Sequence, residues 1–195
     1  MKPISTWRFT FLAAIGLLAG TPSSSHAGLL PVNVTVNADG GNYRYAYGVV
    51  LTSDSILRTG DYFTIYDFDG LVANSNVQPT GFTFTSANLG ATPAGILPTD
   101  SAAIANLTFT YTGPDTVVGQ TGIGNFIVKS TYGSSTEGVF SARTHRQIDG
   151  KTDANITETE VPVPTAPGVP EPGTLALMAI GLPLIGAFRH LRRRI

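Results

Sequence analysis

The chain has 195 residues, room for one domain of ordinary size, with a formal net charge of −1, 13% charged residues and 42% hydrophobic ones. It contains no cysteine, which excludes a disulfide framework and thiolate chemistry, and it lacks the basic excess of a nucleic-acid-binding protein. The charge is unevenly spread. Lys2 and Arg8 lie at one end and Arg189, Arg192, Arg193 and Arg194 at the other, so residues 28–188 carry a net −7. Ends of that kind read as addresses rather than as structure.

Lys2 and Arg8 precede an apolar run, Phe9–Gly20, of the length of a signal-peptide core. Polar residues follow, and Ser25 and Ala27 stand three and one positions before a cleavage point. Cleavage between Ala27 and Gly28 by signal peptidase is expected, giving an exported chain that starts at Gly28 and has lost Trp7, its only tryptophan.

Residues 28–163 read as all-β. Val32–Ala38, Phe82–Thr85 and Leu107–Thr112 alternate apolar with polar residues, often threonine, as half-buried strands do. Tyr43–Leu51, Tyr62–Phe68, Phe126–Ser130, Val139–Thr144 and Ile156–Val163 complete about eight expected strands. Asp39-Gly40-Gly41-Asn42 is a hairpin signal between the first two, and Gly60-Asp61, Asp69-Gly70, Gly113-Pro114-Asp115 and Asp149-Gly150 mark further turns. The longest expected loop is Gly90–Ala105, with room for one helical turn at Ser101–Ala105. Short strands without a convincing helix point to a single β-sandwich of jelly-roll or immunoglobulin-like type, with a closed barrel as the alternative.

Val161–Gly173 holds five prolines and two glycines and reads as an extended, polyproline-like stretch without a ladder of its own. Thr174–Phe188 then has no charge in 15 residues. As a helix that reaches about 22 Å, short of a roughly 30 Å hydrocarbon core, a deficit that snorkelling arginines reduce. Its apolar character all round argues against an amphipathic helix on the domain. An arginine cluster left in the cytoplasm agrees with the positive-inside bias.

Val169-Pro170-Glu171-Pro172, an apolar stretch and then Arg192-Arg193-Arg194 together resemble the PEP-CTERM sorting signal of exopolysaccharide-producing bacteria. Gly173 stands where that family often has serine. The resemblance implies recognition of Pro170-Glu171-Pro172 by an exosortase, a membrane-embedded cysteine transpeptidase, and removal of the tail. The motif is also known under an ice-binding label, which describes the tail and implies nothing about ice. Gly60–Gly70 likewise resembles a segment of uncharacterised PEP-CTERM proteins. The expected organisation is a signal peptide at 1–27, a β-sandwich at 28–163, a Pro-rich spacer with the motif at 164–173, a C-terminal transmembrane segment at 174–188 and a basic cytoplasmic tail at 189–195.

Chemistry inside the domain is sparse. Its one histidine, His145, reads as an exposed strand-end residue; no Gly-x-Ser-x-Gly elbow supports a triad, and usual zinc sites need more His or Cys ligands. Asp67 and Asp69, two apart and near Asp61, read first as turn chemistry, then as calcium ligands, and least as a glycosidase pair. Tyr43, Tyr45 and Tyr47 share one strand face, either buried as core or exposed as a platform for sugar rings. The Thr-x-Thr runs lack the repeats of a regular ice face, and Gly119–Gly124 precedes a strand rather than opening a phosphate-binding helix. The expectation is a non-enzymatic protein without metal or cofactor, exported to the cell surface or an extracellular polysaccharide matrix, structural or adhesive in role. Alternatives are a carbohydrate- or calcium-binding module and, further off, a glycoside-active enzyme. Expected partners are exosortase and signal peptidase as processing enzymes, the membrane through the C-terminal segment, and exopolysaccharide as a further candidate, with no nucleic acid.

Overall fold

The computed structural model describes residues 28–114 and 116–165. The expected signal peptide with Ala27, the motif Val169–Pro172, the apolar segment 174–188 and the arginines at 189, 192, 193 and 194 lie outside the described residues.

Among the described residues the fold is all-β: β1 (Leu29–Asp39), β2 (Asn42–Leu51), β3 (Ser55–Leu57), β4 (Tyr62–Phe68), β5 (Phe82–Ala87), β6 (Ala105–Tyr111), β7 (Val117–Val118), β8 (Thr121–Ser130), β9 (Ser134–Arg146) and β10 (Thr152–Val163). A smaller sheet runs β1-β2-β8, and a larger one runs β5-β6-β4-β9-β3-β7 with β10 on β9. The two-sheet arrangement is consistent with a β-sandwich. β9 organises the larger sheet. One of its edges takes β10 along its length, and the other takes β4 opposite Phe140–Arg143 and then β3 opposite His145 and Arg146. The free edge of β8 is covered by the segment after β4, through bridges Leu71–Ser130 and Val77–Ile127.

The β1–β2 hairpin turns at Gly40 (φ 60°) and Gly41 (φ 86°), the left-handed pair that a tight two-residue turn requires. Alternation then sets the inner face: Tyr45, Tyr47, Val49 and Leu51 of β2 point into the core, as do Phe126 and Val128 of β8. Phe126 is the centre of the aromatic contacts between the sheets. Its ring stands edge-on to Phe63 (4.7 Å), Phe82 (4.9 Å) and Phe109 (4.9 Å), while Phe63 stacks on Phe109 and Phe140 at 5.1 Å. These are favoured ring geometries in addition to the buried area.

Both faces of β4 are covered. Phe63 and Ile65 face the smaller sheet, and Thr64 and Tyr66 lie under the 88–104 loop. The ladder between β4 and β6 shifts register between Ile65 and Phe68, where Asp67 takes φ 56° and its N–H donates to Asn106 Oδ1 (2.8 Å). This bulge rotates the strand so that Phe68 enters the core against Tyr45, although Tyr66 two residues earlier faces outward.

Three expectations change. β3 and β7, three and two residues long, are too short for a periodic signal. β8 starts at Thr121, so Thr121–Gly124 is strand rather than a lead-in. β10 starts at Thr152, ahead of the expected Ile156, and ends at Val163 as expected. Val161, Pro162 and Val163, also read as the start of a stretch without a ladder, pair with Thr136, Ser135 and Ser134, because β10 lies at an edge, where a proline without an N–H is tolerated.

Candidate functional site

Asp61 closes the turn before β4, where its N–H donates to Arg58 O (2.9 Å) and its Oδ2 accepts from Arg58 N–H (2.8 Å). The side chain is fully buried. β9 runs alongside and presents Arg143 and His145 on the same outer face. His145 Nδ1 lies 3.0 Å from Asp61 Oδ2, Arg143 Nε lies 3.7 Å from Asp61 Oδ1, and the Arg143 guanidinium donates to Gly60 O and sits 4.8 Å over the Tyr62 ring. His145 is thus a half-buried partner of a carboxylate, not the exposed strand-end residue expected. The two residues are 84 positions apart, so only the fold brings them together. Burial raises the Tyr62 hydroxyl pKa, an effect that Arg143 opposes. The arrangement orients an imidazole as a base–carboxylate pair does. Among the described residues, the hydrogen-bond partner of His145 is Asp61, with no serine or threonine hydroxyl on the ring.

Beside this cluster is a cleft of about 740 Å³ between Tyr62 and Arg143, the 92–96 loop and the start of β10. It offers an aromatic face, a guanidinium and the Thr92 side chain, groups suited to polar ligands.

Asp67 and Asp69 are held by backbone. Asp67 Oδ1 accepts from Ser101 N–H (2.9 Å), and Asp69 Oδ1 accepts from Gly70 N–H (2.7 Å) at the turn leaving β4. Both border a cleft of about 490 Å³ that Glu137 and Glu158 also line. The Glu137 pKa is raised by its hydrogen bond with Glu158 and by that residue's charge. Among the described residues, no three His, Asp or Glu side chains are grouped to hold a metal ion.

The tyrosine face is divided. Tyr45 and Tyr47 are fully buried and Tyr43 is 37% exposed. Their hydroxyls donate inward, Tyr47 to Glu160 O (2.8 Å) and Tyr45 to Ser134 O (3.1 Å) and Tyr132 O (3.2 Å). Burial, then the charge of Glu160, raises the Tyr45 pKa; burial puts that of Tyr47 well above the ordinary value. A three-ring platform for sugars is therefore not present on this face.

Gly28 is the one expected processing residue that the structure describes, and it is buried at the entry to β1. No described helix is long and apolar enough to cross a membrane. At the other end, Thr165 Oγ1 still shares a hydrogen bond with Ser134 Oγ (3.0 Å). Residues 168–194 match the family described as the PEP-CTERM protein-sorting motif. A match of this kind implies an exported protein with a C-terminal membrane-anchoring signal that exosortase processes. No curated protein matches the chain.

Proposed function

We propose that the chain is a non-enzymatic surface or matrix protein. Signal peptidase releases it at Gly28, exosortase removes its tail at Pro170-Glu171-Pro172, and the sandwich then serves as a structural, adhesive component of an extracellular polysaccharide layer. The match at residues 168–194 carries this reading. Supporting it, Thr165, three residues before the matched segment, is bonded to Ser134 of the sandwich. Sorting therefore acts on a short leash beside a folded domain. The net −7 of residues 28–188 suits a soluble body that attracts cations in an anionic matrix. The backbone bonds of Asp67, to the 88–104 loop, and of Asp69, in the turn after β4, support structural roles for both rather than catalysis.

The test follows the full chain and its Glu171→Ala variant in the native host, by fractionation and tail-specific detection. The wild type is expected at the surface without its tail, and the variant in the membrane with it. Equal distribution and equal tail loss would overturn the sorting step. A second reading, polysaccharide binding, is favoured by the cleft between Tyr62 and Arg143. It expects Arg143→Ala to lower retention of the mature protein on acidic polysaccharide, measured by affinity electrophoresis.

A further inference from the structure

Gly28 enters the fold through a polar recess on the inner face of β9 and β10. Its N–H donates to Asn155 Oδ1 (3.2 Å), and Asn155 Nδ2 donates on to Leu29 O (3.0 Å). The Gly28 carbonyl accepts from Thr52 N–H (3.1 Å) and Thr52 Oγ1 (3.2 Å). Space is tight: a Cβ on residue 28 would lie 2.4 Å from Thr144 Oγ1 and 3.0 Å from Asn155 Oδ1. A side chain at residue 28 would force Thr144 and Asn155 to shift, so glycine suits this position and Thr144 lies against its backbone.

Thr144 Oγ1, against Gly28, lacks a hydrogen-bond partner, and so does the buried Asp153 Oδ2 on the neighbouring strand. Asp153 lies opposite Thr144 in the β9–β10 ladder, so the two side chains share a face, and Asn155 follows two residues later on the same face. Buried unpaired oxygens cost stability, and a carboxylate oxygen costs most. A peptide nitrogen brings one N–H to this recess, and Asn155 takes it. An α-ammonium brings three donors and a positive charge.

We infer that the recess is a binding site for a primary ammonium, the α-ammonium that Gly28 acquires when the Ala27–Gly28 bond is hydrolysed. This rests on the cleavage proposed above. Hydrolysis breaks that C–N bond and consumes one water. The hydroxyl joins the Ala27 carbonyl carbon, whose acid ionises to carboxylate, and the Gly28 nitrogen ends as –NH₃⁺. One N–H keeps Asn155 Oδ1, and the others serve Thr144 Oγ1 and Asp153 Oδ2. Processing thus completes a pairing that the precursor leaves open, and it ties the first strand of the smaller sheet to β9 and β10 of the larger. Maturation stabilises the sandwich at the margin where β1 and β10 are both edge strands.

The experiment uses protein exported from the full chain in its native host. N-terminal sequencing first gives the start; any residue other than Gly28 overturns the cleavage reading and the site with it. With Gly28 at the start, an amine-acylating reagent at neutral pH should label its nitrogen at least about tenfold more slowly in folded than in urea-unfolded protein, while the exposed Lys151 labels at similar rates in both states. Equal Gly28 rates would overturn the site alone. Asp153→Asn should lower the melting temperature of the mature protein by about 3 °C or more, and that of a chain retaining the Ala27–Gly28 bond by less than half as much. Equal shifts in both would show an ordinary structural aspartate and overturn the proposal. Should the variant fail to fold, the labelling ratio of the unaltered protein still decides.

Discussion

On the inner face of β4, Phe63 and Ile65 meet the smaller sheet through apolar surface alone, whereas on the outer face Thr64 and Tyr66 meet a loop through hydroxyl groups. Ala91 O accepts from Thr64 Oγ1 (2.7 Å) and Tyr66 OH (3.2 Å), and Tyr66 OH also bonds Thr92 Oγ1 (2.9 Å) and Ser141 Oγ (3.0 Å). Thr64 and Thr108 pair across the β4–β6 ladder at 3.0 Å. Both faces exclude water, yet they respond differently to substitution. The inner face resists loss of volume, since close-packed side chains collapse only partly into a void. The outer face resists loss of a partner, since each buried hydroxyl depends on another group being present.

The largest expected effect removes the ring on which the inner face converges. Phe126→Ala should cost about 3–5 kcal/mol, measured by urea unfolding. A cost near 1 kcal/mol would mean that the sheets close up more readily than the aromatic contacts imply. Next comes the margin of the outer face. Asp61→Ala removes the acceptor for Arg58 N–H and the partner of His145 and Arg143, and should cost about 2–3 kcal/mol. That is below the loss for a wholly buried pair because Arg143 is partly exposed. Tyr66→Phe keeps the volume but strands the buried Ser141 hydroxyl and releases Thr92 and Ala91 of the loop, and should cost about 1–2 kcal/mol, with faster amide exchange confined to the 88–104 loop. Global destabilisation with unchanged loop exchange would erase the distinction between the faces.

Two smaller effects depend on pH. Tyr47 is fully buried and its pKa stands well above the ordinary 10.0. Its folded form holds a proton that the unfolded chain releases near that value. The stabilising contribution is therefore complete below pH 10 and falls as pH rises above it. Melting temperature should drop above about pH 10, and less steeply in Tyr47→Phe, although that variant also loses the bond to Glu160 O. The smallest effect belongs to Glu137, whose pKa is raised by Glu158. A raised folded pKa gives stability below the unfolded value that is lost as pH rises. Glu137→Gln should therefore raise the melting temperature slightly near neutral pH and not in acid, and added salt should shrink the gain.

The inner face was legible because period-two alternation reports it directly, as in Phe82-Thr83-Phe84 of β5 and Leu107-Thr108-Phe109 of β6. The outer face was not. Threonine and serine read equally well as solvent-facing strand residues, and nothing local says that residues 88–104 fold back over Thr64 and Thr108. The bulge at Asp67 was also hidden. It breaks the alternation that would set Asp67 and Asp69 on one face, and it gives each carboxylate a backbone N–H of its own. Asp61 and His145 could not be joined by sequence, since their contact depends on β4 and β9 being neighbours. The C-terminal end behaved in the opposite way. Charge order, apolar length and Pro170-Glu171-Pro172 are local signals, and the match at residues 168–194 falls on them.

The central claim is that this sandwich is delivered by two cleavages, and the intact mass of the protein recovered from its native host tests it most directly. The account expects a species that starts at Gly28 and ends near Pro172. A species that keeps residues 1–27, or one that carries residues 174–195 at the cell surface, would contradict it.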